Sequence, residues 1–287
     1  PVPLHAADAA GSSGRIMTAS RTGWRHAPRI GALLGCIALG LAVFSPALAE
    51  PAAVSARKKS EKRTFTDSEI IEGFMKTAFG AEYHLAGRVD RIRKYHMPVR
   101  IFVDGPNRTS RQVQLGKIVR DIAARVQHLD IAIADKRDDA NAVVTLVHDR
   151  DLQKTIASFY GAEKASEIRD SLDPQCLSGF RKNDNYEIQR SDVILTIDNG
   201  DFVFYDCAYE ELLQSLGPIN DTDMVPWTMF NDQVSMGFFD IYDQYILNIL
   251  YDPRIKAGMT VDEVRGVLVA ILPDVRAWVA KVNNLPN

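Results

Sequence analysis

The strongest constraint on this chain's fold is segment 205–221, which reads Tyr-Asp-Cys-Ala-Tyr-Glu-Glu-Leu-Leu-Gln-Ser-Leu-Gly-Pro-Ile-Asn-Asp. Tyr205, Tyr209, Leu212, Leu213 and Leu216 recur at helical spacing, which predicts a helix that buries one face. Glu210 and Gln214 stand four apart and project together, with Cys207 on nearly the same side and Glu211 one step round. Gly217 can take the positive φ that ends a helix, and Pro218 stops it from continuing. The chain then doubles back and can carry Asn220 or Asp221 toward the face of Glu210 and Gln214. Glu and Gln opposite an apolar stripe are also what an ordinary amphipathic helix shows to water. The loop that follows, 223–232, is rich in turn formers and holds Met229, Asn231 and Asp232. Its position favours a cleft lined by Glu210, Gln214, Asn220, Asp221, Met229, Asn231 and Asp232.

Upstream, strands and helices alternate. Thr66-Asp67-Ser68-Glu69 is a helix-start pattern, and apolar spacing continues to Gly80. Strands are expected at 99–103, 131–134, 186–188 and 193–197, and helices at 110–128, 151–160 and 162–172. The run 142–147 is almost wholly apolar, the mark of a strand buried on both faces. Downstream, helices are expected at 238–251, from Thr260 onward, and at 275–282. The order implies an α+β fold, a twisted mixed sheet followed by the 205–216 helix and a helical C-terminal part.

The first 49 residues read as an address. Position 1 is not Met, so Met17 is the expected start and 1–16 upstream read-through. Arg21, Arg25 and Arg29 precede the apolar stretch 30–44, and Ala47-Leu48-Ala49 is a small-x-small cleavage site. This is the pattern of a secretory signal peptide, with an uncleaved membrane anchor as the minority reading. The expected location is periplasmic or secreted. Residues 50–63 have no periodicity and read as a disordered linker, and 64–287 as a single domain. The 34 basic and 37 acidic residues fall to 30 and 36 once four Arg and one Asp leave with 1–49, a net charge near −6. That balance gives no reason to expect nucleic-acid binding. Cys176 and Cys207 remain, an even pair that reads as one disulfide in an exported chain.

On these residues the chain resembles a proteobacterial family of exported proteins and lipoproteins without assigned function, over about 65–280. The resemblance rests on Phe65-Thr66-Asp67-Ser68, the segment 207–221, Met229-Phe230-Asn231-Asp232, and Leu250-Tyr251-Asp252-Pro253. More distantly, the second half is similar to the metzincin branch of the zincin metallopeptidases, with the pattern H-E-x-x-H-x-x-G-x-x-H. Glu210, Gln214 and Asn220 fall on the three His positions, Glu211 on the general base, and Gly217 on the glycine. Met229, or alternatively Met236, falls on the methionine beneath the metal. The resemblance implies a zincin-like fold with the zinc-binding histidines replaced. Of the three substitutes only Glu210 is a usual zinc ligand. His84, His96, His128 and His148 show no ligand spacing.

The reading is therefore an envelope protein with a degenerate metallopeptidase-like fold. It is expected to act as a non-catalytic binding or scaffolding module for an envelope protein or peptide, with no cofactor and, after cleavage, no integral span. The alternative is a hydrolase in which Glu210, Gln214 and Asn220, helped by Asp221 or Asp223, hold Ca, Mg or Mn. Glu211 would then be general base to a metal-bound water. A metal-free carboxylate pair, Asp206 with Glu210, is disfavoured because carboxyls on adjacent turns rarely flank a bond. There is no G-x-S-x-G elbow and no glycine-rich phosphate loop.

Overall fold

In the computed structural model the described residues are 50–79, 90–106, 108–172, 175–218, 220–231 and 233–286. The expected signal peptide, His84 and Asp232 lie outside them. Strands β1 (Val99–Asp104), β2 (Ile131–Ile133), β3 (Ala142–Val147), β4 (Cys176–Lys182) and β5 (Ile188–Thr196) form one mixed sheet. Its order is β2-β1-β3-β5-β4. The first four in that order run parallel, and β4 pairs antiparallel with β5 at the edge.

Helices cover both faces. Leu115, Ile118 and Ile122 of α3 (Arg108–Arg125) and Phe204, Ala208 and Leu212 of α6 (Asp201–Gln214) join the main core with Val99, Ile101, Val193 and Leu195. On the other face, α4 (Asp149–Tyr160) and α5 (Ala162–Leu172) bring Leu152, Ile156, Ala165 and Ile168 against Val147, Leu177 and Ile194. β3 is buried at five of its six positions, as its apolar run predicts.

α2 (Asp67–Ala78) starts with the expected capping box, Thr66 with Glu69. It packs against α7 (Ile241–Tyr251) and α8 (Val261–Asn283). Gly73 makes the crossing possible, because a Cβ there would stand 1.9 Å from the Tyr242 hydroxyl. Tyr242 donates that hydroxyl to the Glu69 carbonyl, and Arg276 of α8 reaches Asp67 at 2.8 Å.

Five points need revision, the first being that the strands expected at 186–188 and 193–197 are one, β5. Within 50–63, read as a disordered linker, Ala52–Ser60 forms helix α1. A nine-residue polar helix is marginal alone, and tertiary contact holds it. Val54 is buried near Gly237, and Glu61 accepts the Ile241 N–H at 2.6 Å. β4 was not foreseen, since Cys-Leu-Ser-Gly-Phe-Arg-Lys lacks a clean alternation. α7 begins at Ile241, not 238, because Asp240 caps it. The helices expected from Thr260 and at 275–282 are one, α8, which runs through Pro273. The carbonyl left without its donor there belongs to Val269, which is 77% exposed, so water can satisfy it. Among the described residues no helix is long and apolar enough to cross a membrane.

Candidate functional site

The candidate site is the end of α6 and the turn behind it. The Asn199-Gly200 turn, with Gly200 at φ 93, starts the helix, and Arg111 holds Asp201 in its first turn at 2.6 Å. Cys207 and Gln214 then face β4. The disulfide Cys176–Cys207 ties helix to strand, with Cα atoms 5.9 Å apart. Ser178 on β4 directs its hydroxyl to Gln214 Oε1 at 3.4 Å, a long contact. Two residues further on, Phe180 lies 5.7 Å from the Arg93 guanidinium.

This face was expected to be open, and the structure corrects that. Cys207, Glu211 and Gln214 are only 5–6% exposed, and Glu210 is half-buried. The physical reason is β4, which covers the polar face while Leu212, Leu213 and Leu216 enter the core on the other side. Burial first, then the charges of Asp192 and Glu211, pushes the Tyr160 hydroxyl up to about 12.

The glycine turn behaves as expected. Gly217 has φ 141, and a Cβ there would meet the Arg93 carbonyl oxygen at 2.3 Å. The chain doubles back and delivers Asp221, whose Oδ1 accepts from Gln214 Nε2 at 2.6 Å. Asn220 does not join them. Its side chain donates to the Lys76 carbonyl at 2.8 Å and its backbone N–H to Thr77, so it holds the end of α2. Met229 and Asn231 are also engaged elsewhere. Met229, 2% exposed, donates its N–H to Asp243 at 2.8 Å. Asn231 bridges Val225 and Gln233 within the loop. Asp206 accepts from the N–H groups of Met236 and Gly237 and shapes that loop rather than pairing with Glu210.

Sequence reasoning missed the acidic group at the start of α7. Asp240 Oδ1 accepts the N–H groups of Tyr242 and Asp243 at 2.8 and 3.1 Å. Asp243 takes the Thr228 hydroxyl and the Met229 N–H, and Glu61 takes that of Ile241. Burial raises the pKa of all three, and the Asp243 charge raises Asp240 further. Asp240 Oδ2 is buried with no donor aimed at it, and burial with the Asp243 charge favours its protonated form. An Asp directly before an apolar helical run was the signal that pointed there.

Also missed was Arg93, 2% exposed, which caps α2 through the Ala78 carbonyl at 3.1 Å. Burial lowers its pKa to about 10. Two surface cavities, of about 530 and 520 Å³, are lined by other parts of the chain and by none of Glu210, Glu211, Gln214, Asn220 or Asp221. Among the described residues no group of three or more His, Cys, Asp or Glu side chains is arranged to hold a metal ion.

Comparison with curated proteins returns no match, and neither does comparison with solved structures. The profile of one family, described as "Protein of unknown function (DUF2927)", matches residues 67–270, from the first residue of α2 into α8. That span takes in the whole sheet, α6, the glycine turn and α7, and the chain belongs to the DUF2927 family.

Proposed function

We propose that this chain is an exported envelope protein whose metallopeptidase-like frame serves as a non-catalytic module that binds a protein or peptide. The observation that carries the reading is the fate of the two amides in the ligand positions. Gln214 is bonded to Asp221, and Asn220 to the backbone of α2. Neutral amides are poor zinc partners, and here Gln214 uses its amide in an internal hydrogen bond while Asn220 is turned away to the end of α2. The mixed sheet, the helix behind it and the glycine turn are parts that the metzincin resemblance implies, and they support that ancestry. The Cys176–Cys207 disulfide supports an oxidising compartment.

A mode of binding follows from β4. Among the described residues no backbone hydrogen bond reaches its outer edge, and an extended peptide can add there as a further strand.

The test is done on protein purified without chelator. Metal content below stoichiometry and no peptidase activity are expected. A stoichiometric divalent ion, or peptidase activity that disappears in Glu211→Gln, would refute the reading and favour an oxygen-ligated cation with Glu211 as base. Intact mass of envelope material, with a chain starting at Glu50 expected, tests the export half.

A further inference from the structure

A groove of about 530 Å³ lies where the end of α3 meets the α7–α8 connection and the outer face of α8. One wall is Trp278, whose indole N–H donates to the Arg125 carbonyl at 2.8 Å. That bond fixes the ring before any ligand arrives, so stacking on it orders little further. Arg254 lines the groove beside Trp278. Its guanidinium binds Asp252 through Nε and one terminal nitrogen at 2.8 and 2.7 Å, Asp274 at 2.7 Å and the Ala270 carbonyl at 2.9 Å.

Three polar side chains on the rim have open hydrogen-bonding groups. The Gln127 amide, the His128 imidazole and the Lys281 amine make no hydrogen bond among the described residues. The Lys281 amine rests 5.5 Å from the Trp278 ring centroid, and as an exposed group it is free to swing aside. His128 sits at φ 65, a conformation that Gly or Asn usually takes at a helix end. A non-glycine residue held there is more common at binding sites than elsewhere.

Charge selects the ligand class. Arg254 and Lys281 balance Asp252 and Asp274, so the groove offers no excess charge to an ion. It offers an aromatic face, donors from Gln127, His128 and Lys281, and an acceptor from Asp274, whose side chain is 68% exposed. A neutral ligand with one apolar face and a rim of groups that both donate and accept fits this arrangement. We infer that the groove binds a saccharide, with one ring stacked on Trp278 and its hydroxyls bonded to Gln127, His128, Asp274 and Lys281. None of these residues belongs to the α6 site, so the inference stands apart from the function proposed above.

The full chain is titrated calorimetrically with chitotriose and with cellotriose. At least one should bind with a Kd of about 0.1–1 mM, the range of a shallow single-ring site. Trp278→Ala should weaken it at least about tenfold, and Gln127→Ala and Lys281→Ala about threefold to tenfold each. The last two variants should keep the wild-type melting temperature, since neither side chain holds the fold, and they decide the matter if Trp278→Ala misfolds. No heat with either sugar up to about 10 mM overturns the inference. So does binding that is unchanged in both Gln127→Ala and Lys281→Ala.

Discussion

Asp240→Asn and Asp243→Asn should carry unequal costs, although both remove one carboxyl from the same buried pair. Both residues are at most 1% exposed. Asp240 uses Oδ1 as an acceptor for two backbone N–H groups, while its buried Oδ2 takes no donor and is favoured in the protonated form by burial and the Asp243 charge. An Asn there keeps the acceptor and places an amide N–H where the proton was, so the change should cost less than about 1 kcal/mol. Asp243 is different. Both of its oxygens accept, one from the Thr228 hydroxyl and one from the Met229 N–H. An Asn offers one acceptor for these and turns a donor toward the other partner. The cost should be about 2–3 kcal/mol, which lowers the melting temperature by about 4–12 °C in a domain of this size. The pH dependence adds a sign. The folded-state pKa of Asp240 is raised, so its contribution is fully present below the unfolded value of 3.8 and is lost as pH rises through the folded value. Asp240→Asn cannot lose a proton there and should gain on wild type as pH rises from 4 toward neutrality. Urea denaturation of both variants at several pH values measures this. Equal costs, or a larger cost for Asp240→Asn, would show that the proton is not placed as argued.

Three further predictions concern the candidate site. Gly217→Ala puts a Cβ 2.3 Å from the Arg93 carbonyl at a φ that L residues avoid, and should cost about 2–4 kcal/mol in chemical denaturation. A cost under about 0.5 kcal/mol would mean the turn relaxes freely. Gln214→Ala removes the donor to Asp221 and should destabilise by about 1–3 kcal/mol, equally with and without chelator. A melting temperature that drops on chelation in wild type alone would place an ion beside Gln214. Replacing both Cys176 and Cys207 by Ser opens a link across 31 residues and should cost about 2–4 kcal/mol. Full alkylation of both thiols in unreduced native protein would show that the link does not form.

Much of the frame was legible because it rests on local chemistry. The capping boxes at Thr66 and Thr260 fixed two helix starts, and the apolar run of β3 gave a strand buried on both faces. The Gly217-Pro218 pair gave the turn, and the return of the chain to Gln214 followed from it. What the chain meets at long range was not legible. The polar face of α6 looked solvent-exposed because its cover, β4, has no alternating pattern; the expected Cys176–Cys207 link brought that segment to α6 but did not show it to be a strand. The choice between Asn220 and Asp221 depended on where α2 ends, about 140 residues earlier. Pro273 reads as a helix boundary unless its neighbour Val269 is known to face water.

The docking of α1 and α2 onto α7 and α8 has a consequence for the order of events in folding. A chain made from its N-terminus presents Val54, Glu61, Phe65 and Gly73 early. Yet Glu61 waits for Ile241, Phe65 packs on Tyr242 and Tyr245, and Asp67 waits for Arg276. These partners come 173–209 residues later in the cases of Glu69 with Tyr242 and Asp67 with Arg276. The first-made segment therefore stays unsatisfied until nearly the whole chain is out, while the central sheet can pair before then. Such closure is slow, because distant ends must meet before their contacts repay the lost freedom. During that interval Phe65, Ile70 and Phe74, all buried in the finished fold, are open to a chaperone or to another unfinished copy.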